Sequence, residues 1–182
     1  MILNYNSFFY LFILIIILLF FLIKIYGQVF KFIKQEFSIY RLNNLLNNNR
    51  KNKNDCYIYF LLGATYLDKA CPKQALDFFI KSFNSYTNNA GVSLIQIYNS
   101  IGYVYMQIEE YDLAIQFFQK CISIEPNYII AINNLAKVYE KINDIKKAID
   151  LYQLVLSYDK QNKTAIDRLN KLCANKNINT II

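Results

Sequence analysis

The chain opens with a solid hydrophobic block and then settles into a helical rhythm. From Phe8 to Ile23 the sequence FFYLFILIIILLFFLI is apolar at every position. Ile2, Leu3, Tyr5, Ile25 and Tyr26 extend the usable span to about twenty residues, enough for a helix to cross a hydrocarbon core of ~30 Å. No polar face interrupts the run, which argues against the buried helix of a globular core. Beyond it, Tyr26, Val29, Phe30, Ile33, Phe37 and Tyr40 return at steps of three and four. That spacing predicts an amphipathic helix that either lies along a membrane surface or carries the anchor on into solvent. The stretch NNLLNNNRKNKN, residues 43–54, has little to bury and reads as a linker.

After the linker one spacing recurs. Tyr59-x2-Leu62-Gly63-x2-Tyr66 leads to Ala75-x3-Phe79. Tyr98-x2-Ile101-Gly102-x2-Tyr105 leads to Ala114-x3-Phe118 and Pro126. Ile132-x2-Leu135-Ala136-x2-Tyr139 leads to Ala148-x3-Tyr152. The second and third copies are offset by 34 residues and the first two by 39, an insertion of five near residues 87–91. Each copy resembles the tetratricopeptide repeat, whose pattern of W-x2-L-G-x2-Y, A-x3-F and P recurs every 34 residues. The physical reason is close approach. Gly63, Gly102 and Ala136 leave room on the first helix of each pair, Ala75, Ala114 and Ala148 on the second, and the rings of Tyr66, Tyr105 and Tyr139 fill what remains. Pro72 suits the first turn of a helix, Asp144 can cap another, and Pro126 ends one. Three repeats need a cover, and TAIDRLNKLCA, residues 164–174, puts Ile166, Leu169 and Cys173 on one face against Asp167, Arg168 and Lys171 on the other.

The expected fold class is therefore all-α: an N-terminal transmembrane helix, then a three-repeat right-handed α-solenoid with a C-terminal capping helix. The expected boundaries are an anchor over 1–26, a basic juxtamembrane segment and linker over 27–54, repeats over 56–89, 95–128 and 129–162, a cap over 163–174 and a tail over 175–182.

Charge and composition sharpen this picture. The net charge of +7 is local: residues 24–54 carry seven basic side chains against Glu36 alone, whereas residues 55–182 carry thirteen basic and twelve acidic ones. Lys24, Lys31, Lys34 and Arg41 are candidate contacts to an anionic membrane surface, each contributing about 1 kcal/mol there. A nucleic-acid-binding domain would carry its charge on the folded part, so nucleic acid is not an expected partner. All basic residues follow the apolar run, which keeps the repeats on the cytoplasmic or stromal side. No basic residue precedes the run and no small-residue cleavage site follows it, unlike a signal peptide. Histidine is absent, which removes the commonest general base and metal ligand. No two of Cys56, Cys71, Cys121 and Cys173 stand at C-x-x-C spacing, so neither a metal nor a redox pair is expected. Glu109, Glu110 and Asp112 cluster where a helix should begin, a place that favours acidic residues without catalysis. No Gly-rich phosphate loop exists. An enzyme, a cofactor and a small-molecule substrate are not expected.

In repeats of this kind the first helices line a concave groove for a partner protein. The matching positions are Tyr57, Phe60 and Ala64 in the first repeat, Gln96, Asn99, Tyr103 and Met106 in the second, and Asn133, Lys137, Glu140 and Lys141 in the third. Tyr57 and Phe60 could equally serve packing against the juxtamembrane helix. The basic clamp by which some relatives of this fold grip an acidic C-terminus is missing. Its positions hold Phe60, Ala64, Ser100, Ile130 and Asn134.

The 22 asparagines and 28 isoleucines, with 16 tyrosines and 14 phenylalanines, match AT-rich codons and point to an AT-rich coding genome. With the anchor, the basic linker and three repeats, the whole chain resembles the photosystem I assembly proteins of algal plastids and cyanobacteria. That resemblance implies a non-enzymatic adaptor on the stromal side of the thylakoid membrane, with photosystem I subunits or assembly intermediates as partners. The competing reading is an anchored scaffold for another membrane complex, in secretion, precursor handling or division, of an AT-rich bacterium.

Overall fold

The structure is a computed structural model that describes residues 2–48, 55–88 and 90–175. It divides into two compact units, residues 1–45 and 46–182. The described residues contain eight helices and no strand.

Helix α1 (Ile2–Asn48) is a single element of 47 residues. Every side chain from Phe8 to Ile23 is exposed, as are Lys24, Lys31, Lys34 and Arg41, and the helix is long and apolar enough to cross a membrane. Residues 27–42 thus continue the helix of the apolar run. Helix α1 also takes in residues 43–48 of the stretch expected as a linker. Leu42, Leu45 and Leu46 keep helical spacing there, and extending a formed helix costs far less than starting one. Arg50, Lys51 and Lys53 lie outside the described residues.

The second unit holds α2 (Asp55–Asp68), α3 (Pro72–Asn84), α4 (Leu94–Gln107), α5 (Tyr111–Ile124), α6 (Ile129–Lys141), α7 (Ile145–Tyr158) and α8 (Lys163–Asn175). Helices α2 and α3, α4 and α5, and α6 and α7 pack as pairs, and each pair packs on the next through its second helix. The first helices α2, α4 and α6 also touch in succession. Within a pair the contact is made where a side chain is missing. A Cβ on Gly63 would lie 2.6 Å from Phe79 Cδ1, and one on Gly102 would lie 2.9 Å from Phe118 Cε1. Ala75, Ala114, Ala136 and Ala148 are fully buried. Tyr66 stacks on Phe78 at 5.2 Å between ring centres and Tyr105 on Phe117 at 5.5 Å, while Tyr139 packs against the buried cores of the second and third pairs. Small polar groups add a tie at the far end of each of the first two pairs: Ser82 Oγ donates to the Cys56 carbonyl at 2.9 Å, and Cys121 Sγ donates to that of Ile95 at 3.5 Å.

All three pairs turn by the same device. Ala70, Glu109 and Asn143 have φ of 57, 65 and 62°, the left-handed conformation that ends many helices. Around them the N–H groups of Cys71, Glu110 and Asp144 reach the carbonyls of Tyr66, Tyr105 and Tyr139 at 2.9, 3.0 and 2.9 Å, so each motif tyrosine closes its helix through its backbone. The next helix starts at once. Pro72 occupies the first turn of α3, Asp144 accepts from Lys147 N at 3.2 Å, and α5 ends at Ile124, before Pro126.

Of the extra residues between the first two repeats, Thr87, Asn88 and Gly91 are exposed and Ala90 turns inward. Ala90 and the following Val92 join the core of the first pair, and a Cβ added to Gly91, at φ 74°, would lie 3.7 Å from Tyr57 Cγ. At the other end α8 covers the third pair with a face rotated from the expected one. Ala165 is fully buried and Leu169 and Leu172 pack beside it, whereas Ile166 is 37 % exposed. The small Ala165 can come closest to α7, and the helix turns to let it.

Candidate functional site

The groove positions do not form one continuous surface. Tyr57 is 42 % exposed beside Gly91, and Phe60 lies against Phe79 at 5.5 Å between ring centres. Ala64 packs against the same core. Gln96 is engaged locally: Ser93 N donates to its Oε1 at 3.0 Å while Ser93 Oγ accepts from Gln96 N at 3.2 Å, a capping box that opens α4. The S-x-x-Q spacing carries that signal in the sequence. Asn99 links the second repeat to the third, and Asn133 ties α6 to the turn before α8. Asn134 Nδ2 donates to Asn99 Oδ1 at 3.1 Å, and Asn133 Nδ2 reaches Asn162 Oδ1 at 3.5 Å. Asn133 is buried, not part of an open face, and its Oδ1 has no partner among the described residues.

Glu140 is held just as firmly. Tyr152 Oη donates to its Oε1 at 2.5 Å, Arg168 Nε donates to the same oxygen at 2.9 Å, and Arg168 Nη2 donates to Oε2. Three helices meet in this network. The Tyr152 ring is fully buried; burial first, and then the bond to Glu140, hold its hydroxyl well above the ordinary phenol range. The hydrogen bond to Glu140 likewise raises the Arg168 guanidinium. Nothing in the sequence pairs residue 140 with 168, since the two lie on different helices 28 residues apart.

The remaining groove residues converge. Met106, Lys137 and Lys141, with Gln107, Glu109 and Tyr111, line a cleft of about 580 Å³ at the turn end of α4 and α6, bordered by the Glu140–Arg168 pair. A second cleft of about 330 Å³ repeats this position one pair earlier, lined by Leu67, Asp68, Ala70, Pro72, Tyr103 and Gln107. Gln107 borders both. Leu67 stands where Met106 does, Pro72 where Tyr111 does, and Tyr103 where Lys137 does, so the two clefts are successive copies of one feature of the repeat. The first copy is uncharged apart from Asp68; the second is rich in charge.

A stack of paired helices closed by a solvated cap, with clefts recurring between pairs, defines a class: this is a tetratricopeptide-repeat protein, a helical scaffold for protein–protein interaction. Models of the tetratricopeptide repeat match residues 95–128 and 117–150. The fold is shared with the crystal structure of MamA, at a TM-score of 0.64 and 23% identity over 77% of each chain. It is shared too with the first such domain of Spaghetti (RPAP3) bound to the HSP90 peptide SRMEEVD, at a TM-score of 0.60 and 14% identity over 69% of this chain and 96% of that one. Within that class the sequence is specific. It is 34% identical over 157 residues to the ycf37 protein of Guillardia theta, covering 86% of each chain, and it belongs to the ycf37 family.

Proposed function

We propose that this chain is a membrane-anchored adaptor of the plastid thylakoid that holds a protein partner during the assembly or upkeep of photosystem I. The observation that carries the anchored part is α1. Its residues 8–23 offer exposed apolar side chains without a break, and such a surface in water would be a severe liability unless lipid covers it. Its basic residues all follow that span, which supports repeats on the stromal side. The adaptor part is supported by the class of the fold and by clefts recurring at the repeat junctions. Membership of the ycf37 family supports the compartment. The photosystem I assignment rests on the family resemblance carried by the anchor, the basic segment and the three repeats.

The test is a pull-down of the tagged full chain from membranes solubilised in mild detergent. Recovery of photosystem I subunits or partly assembled intermediates supports the proposal. Recovery of translocation or division components alone, with no photosystem I subunit, would replace it with the scaffold of another membrane complex.

A further inference from the structure

We propose that the cleft between the second and third repeats seats an internal acidic segment of the partner protein, laid along the turn ends of α4 and α6. The proposal rests on the adaptor reading and adds the chemistry of what the adaptor holds.

Charge bookkeeping within the cleft favours an anion. Arg168 and Glu140 neutralise each other. Lys137 and Lys141 stand one helical turn apart on α6, and neither makes an ion pair among the described residues. Against these two ammonium groups stands the single carboxylate of Glu109. Lysine is a point charge on a long flexible stem, suited to carboxylates at loosely fixed positions instead of one bidentate geometry. Met106 and Tyr111 add apolar surface to the lining of the same cleft, so an acidic segment carrying one apolar or aromatic side chain fits it best.

The neighbouring cleft sets a direction. It lacks both lysines and carries Asp68 instead, and Gln107 stands between the two with an amide that can donate to or accept from an extended backbone. A bound segment would thus run from acidic residues over α6 to neutral or basic ones over α2. A free C-terminal carboxylate is not required, because the positions that would clamp one hold Phe60, Ala64, Ser100, Ile130 and Asn134.

The experiment is fluorescence anisotropy on the full chain in neutral detergent micelles. Two labelled, C-terminally amidated hexapeptides serve as probes, Glu-Asp-Phe-Glu-Asp-Leu and Lys-Lys-Phe-Lys-Lys-Leu. The acidic probe should bind, weaken with added salt, and lose at least about tenfold in affinity in the Lys137→Glu/Lys141→Glu variant. Glu109→Gln should tighten it several-fold. Lys120→Glu/Lys160→Glu, on other surfaces, should leave it unchanged. Should the double glutamate variant not fold by circular dichroism, Lys137→Gln/Lys141→Gln gives the same reading with a smaller loss. Equal binding of the two probes, or no loss in either lysine variant, would overturn the proposal. The adaptor reading is scored separately. If the wild-type chain and Lys137→Gln/Lys141→Gln recover photosystem I subunits equally, the cleft is not the seat although the adaptor stands. If neither recovers them but the acidic probe binds through the lysines, the cleft stands and the named partner does not.

Discussion

Phe118 lies across Gly102 with its ring edge where a methyl group would have to be, 2.9 Å from the position of an added Cβ. The ring is fully buried and has little freedom to withdraw. Phe79 stands over Gly63 in the same way, closer still. A glycine inside a helix normally costs about 1 kcal/mol against alanine. Here the missing Cβ is what lets the two helices of a pair meet.

Gly102→Ala should therefore destabilise the repeats despite its gain in helix propensity, and Gly102→Leu should do so more, by about 1–3 kcal/mol or beyond. Chemical denaturation of the full chain in micelles, followed by circular dichroism, reads the change. A Gly102→Ala variant as stable as wild type would mean that the packing of α4 on α5 is not as described.

The turn residues offer changes in the opposite direction. Ala70 and Glu109 hold a left-handed backbone, which costs a residue with a Cβ roughly 1–2 kcal/mol. Asn143, in the third copy, is the residue type that tolerates it best after glycine. Ala70→Asn and Glu109→Asn should each raise stability, by up to about 1 kcal/mol, and Asn143→Ala should lower it by a similar amount. A denaturant midpoint that moves the other way in the first two would contradict this turn geometry.

Removing the Glu140 carboxylate should cost more than removing either of its partners. Glu140→Ala leaves the Tyr152 hydroxyl buried with no acceptor, a loss of about 1–3 kcal/mol. Tyr152→Phe removes the donor and leaves a shape that still packs, for about 0.5–1.5 kcal/mol. A double-mutant cycle between residues 140 and 168 should give a positive coupling, because their ion pair joins the cap to the third repeat. Additive effects would show that α8 is held by Ala165, Leu169 and Leu172 alone.

Alkaline pH should loosen the stack in a defined window. Burial pushes the Cys121 thiol up to about 12, whereas a free thiol ionises near about 8.5. The folded chain thus keeps a proton that the unfolded chain gives up. The contribution of this group is whole below about pH 8.5 and is lost as pH rises toward 12. Tyr128 and Tyr152, both raised chiefly by burial, act in the same sense above the ordinary phenol range. The denaturant midpoint should fall between pH 9 and 11, and by less in Cys121→Ala. Identical slopes for both chains would remove Cys121 from the explanation.

Much of the fold was legible because the repeat writes its contacts in residue size. Gly63, Gly102, the alanines and the rings opposite them have one plausible arrangement, and their spacing alone gives three pairs in register. Less was legible of the groove, because its residues are polar and polar side chains find partners that spacing does not reveal. Gln96 caps its own helix, Asn133 turns inward, and Glu140 belongs to Arg168 on another element. The face of α8 was misread for a related reason. Ile166 and Ala165 are adjacent, hydrophobicity favours the first, and close approach to α7 favours the second. The turn conformations were silent, since Ala70 and Glu109 are not residues that advertise a left-handed backbone.

The amide pair between Asn99 and Asn134 bears on more than stability. Oily surfaces between helices can slide past one another at little cost, but an amide joined to an amide at 3.1 Å keeps one spacing or breaks. It works as a dowel between the second and third repeats. The distance from one cleft to its copy is thereby set by the chain itself, so a segment lying along both would meet a ruler and not a hinge.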